Sequence, residues 1–169
     1  MGEIKKLYLL LPLIGGVLSI IGILIPAWYS PPPWVEYIWI AGIIHHVTAG
    51  DVLDVLPIEM FIPSIIAVVI ISLGSIIILI YTFFNIQGKK SLSNVENLWI
   101  IIAIIEIATA IYYILGIQFG FFLHSDQNFW SIYEIQFGMV TPFIGASLTL
   151  IGAILRKRIK RDIGKSFKT

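Results

Sequence analysis

Residues 28–57 read WYSPPPWVEYIWIAGIIHHVTAGDVLDVLP and form the one long interval between strongly apolar runs of the chain. The interval holds three of the five tryptophans and two of the three histidines. On both sides of it the sequence is apolar over the length that crosses a bilayer, about 20 residues at roughly 1.5 Å each. The interval therefore predicts a loop that helices hold on one side of a membrane.

The rest of the chain predicts four membrane-spanning helices. Of its 169 residues, 58% are hydrophobic and 12% are charged, whereas about a quarter of the residues in soluble domains are charged. Four apolar runs are long enough to span, near 7–28, 58–84, 98–121 and 128–155. We therefore expect one all-α integral membrane domain, a four-helix bundle with a small β-hairpin in the outer loop at 29–57.

The positions of the basic residues predict the orientation of these helices. All eleven Lys and Arg residues lie at 5–6, 89–90 and 156–168, which four spans place on one side. The long loop and the turn at 124–127 carry acidic residues and no base. Because basic flanks stay inside, we expect a multi-pass plasma-membrane protein with both termini in the cytoplasm.

The sequence lacks the motifs that are typical of several classes of function. The chain has no cysteine, which excludes disulfides, thiolate metal sites and redox dithiols. It has no phosphate-binding loop, nucleophile elbow or His-Glu-x-x-His pattern. We therefore expect a non-enzymatic protein without a cofactor or a nucleic-acid partner. Its expected partners are the lipid bilayer and either itself or another membrane protein.

The cytoplasmic tail at 156–169 predicts a basic amphipathic continuation of the fourth helix. A base near an anionic leaflet contributes about 1 kcal/mol. The simpler alternative is a stop-transfer signal, which the charge bias alone explains. The residues expected to contact anionic lipid headgroups are Arg156, Lys157, Arg158, Lys160 and Arg161.

Glu106 is the sharpest anomaly, because it lies midway along the third span, where an ionised carboxylate costs a few kcal/mol or more. Depth along each helix predicts a polar cluster of Glu106 with Ser19, Ser72 and Ser147. One interpretation is a proton or cation relay in a small subunit of a membrane enzyme or ion-coupled transporter complex. The other is a neutral carboxyl that a serine hydroxyl binds and that holds helices together. Since no second ionisable group shares the span, the sequence favours the structural role.

Small residues predict which helices approach closely. Apolar burial does not drive association within lipid, so close packing relies on small side chains. The first and fourth predicted helices each carry such a stripe, and together they favour a compact left-handed bundle. The stripes are Gly15, Ser19 and Gly22 in the first helix, and Gly138, Gly145 and Gly152 in the fourth.

The long loop predicts a hairpin with an interaction surface. Residues 34–40 are aromatic and β-branched, 41–42 allow a turn, and 43–48 read as a returning strand. Asp51 is expected to begin a short helical turn. An aromatic, base-free patch outside a membrane indicates a binding surface. Its candidate residues are Trp34, Tyr37, Trp39, His45 and His46.

The histidines also raise the question of a metal site. Histidine and carboxylate side chains from the two outer loops are ligands for Zn or Cu. Their spacing matches no metal motif, so ordinary interfacial histidines are the favoured interpretation and we expect no metal. The residues concerned are His45, His46, His124, Asp51, Asp54 and Asp126.

Four spans with both ends inside, a strand-forming first outer loop and a short second one resemble the claudin and peripheral-myelin-protein type of tetraspan membrane protein. Ile25-Pro26-Ala27-Trp28 is similar to the way in which those proteins leave the membrane. Tyr37-Ile38-Trp39 sits where their Gly-Leu-Trp signature falls, although the paired loop cysteines of that type are absent. The resemblance implies adhesion, barrier formation or membrane organisation through the outer loop.

Overall fold

The computed structural model describes residues 4–88, 94–125 and 128–166. Four helices form a bundle, and a small antiparallel sheet lies at one end of it. In chain order the elements are α1 Ile4–Leu24, β1 Pro26–Ser30, β2 Glu36–Trp39, β3 Ile43–His46, β4 Val52–Val55, α2 Ile58–Ile86, α3 Val95–His124, a 3₁₀ turn Phe129–Ser131, β5 Glu134–Ile135 and α4 Phe137–Ser166.

Three of the helices in the described part of the chain are long and apolar enough to cross a membrane. They are α2, residues 95–123 of α3 and residues 137–162 of α4. The apolar part of α1 is shorter, Tyr8–Leu24. Many large apolar side chains on these helices are exposed, which suits lipid as the surrounding solvent.

Glycine lets α1 and α4 approach more closely than side chains would allow. A Cβ atom added at Gly145 would collide with the carbonyl of Gly15 and the hydroxyl of Ser19. At Gly152 it would meet the ring of Pro12, and at Gly22 the side chain of Thr141. The two small-residue stripes predicted from the sequence therefore lie in this interface.

The sheet has five strands in the order β4-β3-β2-β1-β5, and every neighbouring pair is antiparallel. The predicted hairpin is its centre, because β2 and β3 pair and Gly42 turns the chain between them with φ +77°. Positive φ favours glycine at this position. Trp28, Ile38 and Ile44 lie opposite one another on adjacent strands and are buried against the helix ends.

The sheet extends beyond the hairpin because both neighbouring segments also form strands. The predicted first span reached residue 28, but α1 ends at Leu24 and β1 follows it. Pro26 has no N–H to continue the helix. The predicted fourth span began at 128, whereas α4 begins at Phe137, and residues 134–135 form β5 against β1.

A further expectation for this region is wrong. Asp51 does not begin a helical turn: positive φ at Gly50 and Asp51 reverses the chain, and Val52–Val55 pairs with β3. Trp28, in β1, is completely buried. The Trp28 indole donates to the Tyr113 hydroxyl at 2.9 Å, so its polar end is satisfied within the protein.

We expect Gly145→Ala to destabilise the protein by about 1–3 kcal/mol, because an added methyl overpacks the contact of α1 with α4. Because alanine favours a helix by about 1 kcal/mol relative to glycine, a net loss of stability would show that overpacking of the contact outweighs this gain. Thermal unfolding in detergent measures the effect. Ser147→Ala, at an exposed position of the same helix, is the matched control. A Gly145→Ala variant as stable as this control would contradict the packing.

Candidate functional site

The end of the bundle that carries the sheet is called the sheet end, and the opposite end the tail end. The sheet has an inner face toward the helices and an outer face away from them. Tyr29, Tyr37 and His45 lie opposite one another along the outer face, and Leu53 follows them on β4. The rings of Tyr29 and Tyr37 are 5.2 Å apart, and those of Tyr37 and His45 are 6.5 Å apart. The outer face therefore carries a row of aromatic rings.

The five loop residues expected to form one interaction patch lie in three places. Trp34 is 68% exposed, in the loop between β1 and β2. Tyr37, Trp39 and His45 are half-buried on the outer face, and the Trp39 indole donates to the Leu24 carbonyl at 3.2 Å. His46 lies on the inner face. Trp34 is thus a free side chain, whereas Trp39 also anchors the sheet to α1.

His45 and His46 bind different carboxylates on opposite faces of β3. Nε2 of His45 lies 2.6 Å from Oδ1 of Asp51, and Nδ1 of His46 lies 2.7 Å from Oε1 of Glu36. Among the residues that the structure describes, no three His, Asp or Glu side chains group to hold a metal ion. The His124 side chain and Asp126 lie outside that part of the chain.

Glu36 joins three segments at the sheet end. Its second oxygen, Oε2, accepts a hydrogen bond from the Tyr133 hydroxyl, which follows the 3₁₀ turn. Burial raises the pKa of Tyr133, and the hydrogen bond and charge of Glu36 raise it further. Tyr133 therefore stays a neutral donor. Glu36 and Tyr133 are 97 residues apart in the sequence, and no pattern in the sequence connects them.

The strand β4 was not predicted from the sequence. It forms one edge of the sheet, and all four of its residues are exposed. Val52, Leu53 and Val55 are 48%, 69% and 58% exposed. An edge strand offers unpaired backbone groups to another strand. The β-branched residues Val52 and Val55 were a signal from which β4 was predictable.

Glu106 is buried, at 1% exposure, and joins three helices. The hydroxyl of Ser19 in α1 donates to Oε2 at 3.3 Å, and that of Ser75 in α2 donates to Oε1 at 3.1 Å. The structure thus places Ser19 beside Glu106 but brings Ser75 there in place of Ser72, which is half-buried. Ser147 is exposed on α4. Depth along a helix predicts the level of a residue but not the face on which it lies.

Arg156 performs a similar role at the tail end. The sequence places it at the lipid surface, whereas its side chain is only 12% exposed. Its Nη1 donates to Asn85 Oδ1 at 2.7 Å, and its Nε lies 3.4 Å from Glu96 Oε2. The guanidinium also lies 5.3 Å from the ring centre of Trp99 and 5.8 Å from that of Tyr8. Arg156 therefore links α4 to the other three helices.

The other tail bases divide into two groups. Lys160 pairs with Glu96 at 2.8 Å, and Lys157 donates to the Asn97 side chain at 3.3 Å. Arg158 and Arg161 are exposed on α4. Of the five bases expected at the membrane surface, these two arginines are the best placed to contact headgroups.

No protein-family model matches the chain, and comparison with curated proteins finds no match. The likeness to the claudin type stays a prediction from the arrangement of helices and loops.

We expect Glu106→Gln to change stability by less than about 1 kcal/mol, because the amide still hydrogen-bonds both serines, whose hydroxyls donate or accept. Glu106→Ala leaves a cavity and two unpaired hydroxyls, so we expect a loss of about 2–4 kcal/mol. Chemical unfolding in mixed micelles compares the two variants. Ile105→Ala, at the neighbouring exposed position, is the control. Equal losses in the two Glu106 variants would show that the junction needs a charge.

Proposed function

We propose that the chain is a non-enzymatic tetraspan membrane protein that associates with further copies of itself through its sheet. Its helices span the plasma membrane four times, with both termini in the cytoplasm and the sheet outside. The charge distribution supports this orientation, because the bases lie at 5–6, 89–90 and 156–168. The apolar part of α1, Tyr8–Leu24, matches the lower end of the range of about 17–25 residues that spans a bilayer.

The exposed apolar edge strand β4 is the observation that carries this proposal. Val52, Leu53 and Val55 expose apolar side chains on a strand that has another strand on one side only. Water-soluble surfaces avoid exposed apolar edges because such edges recruit other strands. In the proposed topology, β4 presents such an edge on the outer side of the membrane, where it is accessible to other proteins.

A second copy of the chain is the partner that fits this edge. Two β4 strands pair antiparallel about a two-fold axis, so the same four residues supply both sides of the contact. With the axis between the two copies of Leu53, the leucines face each other and each Asp54 faces Val52 of the other copy, so the two carboxylates do not face each other. Antiparallel pairing thus joins the apolar residues without setting like charges directly opposite.

Trp34 suits a contact of a different kind. Trp34 lies in the loop between β1 and β2 and is 68% exposed. In the proposed topology its indole is accessible from outside the cell, where an opposing membrane lies. Trp34 would serve adhesion between membranes, and β4 assembly within one membrane.

The alternative function, a subunit of a membrane enzyme or ion-coupled transporter complex, depends on Glu106. In the described part of the chain, the hydrogen-bond partners of this carboxyl are the hydroxyls of Ser19 and Ser75. A proton path requires a succession of groups that exchange protons. Two hydroxyls from two other helices suit a helix junction, which favours the non-enzymatic proposal.

We expect Leu53→Lys to abolish association within one bilayer, because a charge at an edge strand opposes strand pairing. Energy transfer between labelled copies in liposomes measures this association, and it should fall to the value for non-associating chains. Trp34→Ser should leave this transfer unchanged and instead reduce the adhesion of liposomes to one another.

Ser131→Lys provides the control for the added charge, because Ser131 is exposed at the sheet end but lies in the 3₁₀ turn near β5. If Leu53→Lys and Ser131→Lys leave the same energy transfer as the unmodified chain, β4 does not mediate assembly. The cysteine-free sequence permits one label at a chosen site in each variant.

A further inference from the structure

A cavity of about 410 Å³ lies between the inner face of the sheet and the nearby ends of α2 and α3. Ile38 and Ile44 of the sheet form one side of it, and Met60 and Phe121 of the helices form another. Sites for small molecules range from about 300 to 1,000 Å³ and are mostly apolar with a few polar groups. The size and lining of this cavity match that description.

The polar groups of the cavity are held in place by the fold. Glu36 accepts from the Tyr133 hydroxyl and lies 2.7 Å from Nδ1 of His46. Asp54, on β4, accepts from the backbone N–H of Val55 at 2.7 Å. All four side chains, those of Glu36, His46, Asp54 and Tyr133, line the same cavity. A ligand would therefore meet two carboxylates on largely apolar walls.

The ionisable side chains that line the cavity are mainly acidic. The sequence has no Lys or Arg between Lys6 and Lys89, or between Lys90 and Arg156. His46 is the single basic side chain among the lining residues. Low-dielectric walls strengthen the field of charges of one sign within a cleft. The cavity therefore favours a positively charged ligand and disfavours an anion.

The aromatic wall indicates what kind of cation fits. The rings of Phe129 and Tyr133 stack with centres 4.6 Å apart, and Phe121 meets them edge-on at 5.3 and 6.0 Å. Aromatic faces attract organic cations, and the apolar lining accommodates a hydrocarbon body. A bare metal ion would instead require several ligand side chains around one point, and the described residues present no such group.

We propose that this cavity binds an organic ammonium ion with an apolar body. The ammonium group lies between the carboxylates of Glu36 and Asp54, and the body packs on the wall formed by Phe121, Phe129 and Tyr133. The ligand is a soluble amine or the ammonium headgroup of a lipid, since both present this chemistry. The site does not depend on self-association, because one chain supplies every lining residue.

Three probes with one hydrocarbon body test the charge preference: 4-phenylbutylammonium, 4-phenylbutanol and 4-phenylbutyrate. Calorimetric titration of the full chain in a maltoside detergent, with empty micelles subtracted, measures the affinity of each. We expect the ammonium to bind about tenfold or more tightly than the alcohol, and the carboxylate not to bind. An alcohol that binds as tightly as the ammonium would overturn the proposal.

Asp54→Asn tests the site without disturbing the core, because Asp54 is exposed on an edge strand. We expect it to lower ammonium affinity about tenfold, and Glu36→Gln to lower it further where that variant folds. Glu134→Gln, an exposed acid of β5 outside the cavity lining, is the matched control and should bind normally. Unchanged affinity in Asp54→Asn would rule out the site, whether or not Glu36→Gln is stable.

Competition distinguishes the two sources of the ligand. A short-chain phosphatidylethanolamine is added to the complex with 4-phenylbutylammonium, and phosphatidylglycerol serves as its control. Displacement by the ethanolamine lipid alone assigns the site to a lipid headgroup, and persistence of the probe assigns it to a soluble amine. Equal displacement by both lipids would show that the probe is not held by its charge, and would overturn the proposal.

Discussion

The close contact between α1 and α4 is the interaction on which the rest of the structure depends. Within lipid, helices do not gain from burying apolar surface, so their approach relies on residues such as Gly15 and Gly145. The same contact brings the end of α1 to the start of α4. There the Gln136 N–H donates to the Ala27 carbonyl at 2.9 Å, and β1 pairs with β5. Backbone hydrogen bonds thereby attach the sheet to the bundle.

Polar side chains reinforce this arrangement at three levels: Glu36 at the sheet end, Glu106 within the bundle and Arg156 at the tail end. Each joins elements that are distant in the sequence, and each finds hydrogen-bond or ionic partners within the protein. Buried polar groups without partners are costly, so these junctions restrict how the helices and strands fit together. The proposed recognition then relies on features outside the junctions, above all the β4 edge and Trp34.

The sequence predicted the helices and the central hairpin, because apolar length, basic flanks and the Gly42 turn are local signals. It did not predict β1 or β5. Apolar residues such as Trp28 and Ile135 suit a strand as well as a helix, and the composition does not change where the helix and the strand meet. The partner of Glu106 in α2 was misplaced by about one helical turn, since Ser75 binds the carboxyl in place of Ser72. Contacts such as that of Tyr133 with Glu36 depend on the tertiary fold, so no local sequence pattern predicts them.

The proposed topology, four spans with the sheet outside, is tested most directly by the accessibility of single cysteines in this cysteine-free chain. An impermeant maleimide is applied to intact cells that carry Ala49→Cys, Gln87→Cys or a cysteine added before Met1. The topology predicts that Ala49→Cys alone is labelled, and that all three are labelled once the membrane is permeabilised. Labelling of the N-terminal cysteine together with Ala49→Cys in intact cells would show that α1 does not span, and would contradict the four-span account.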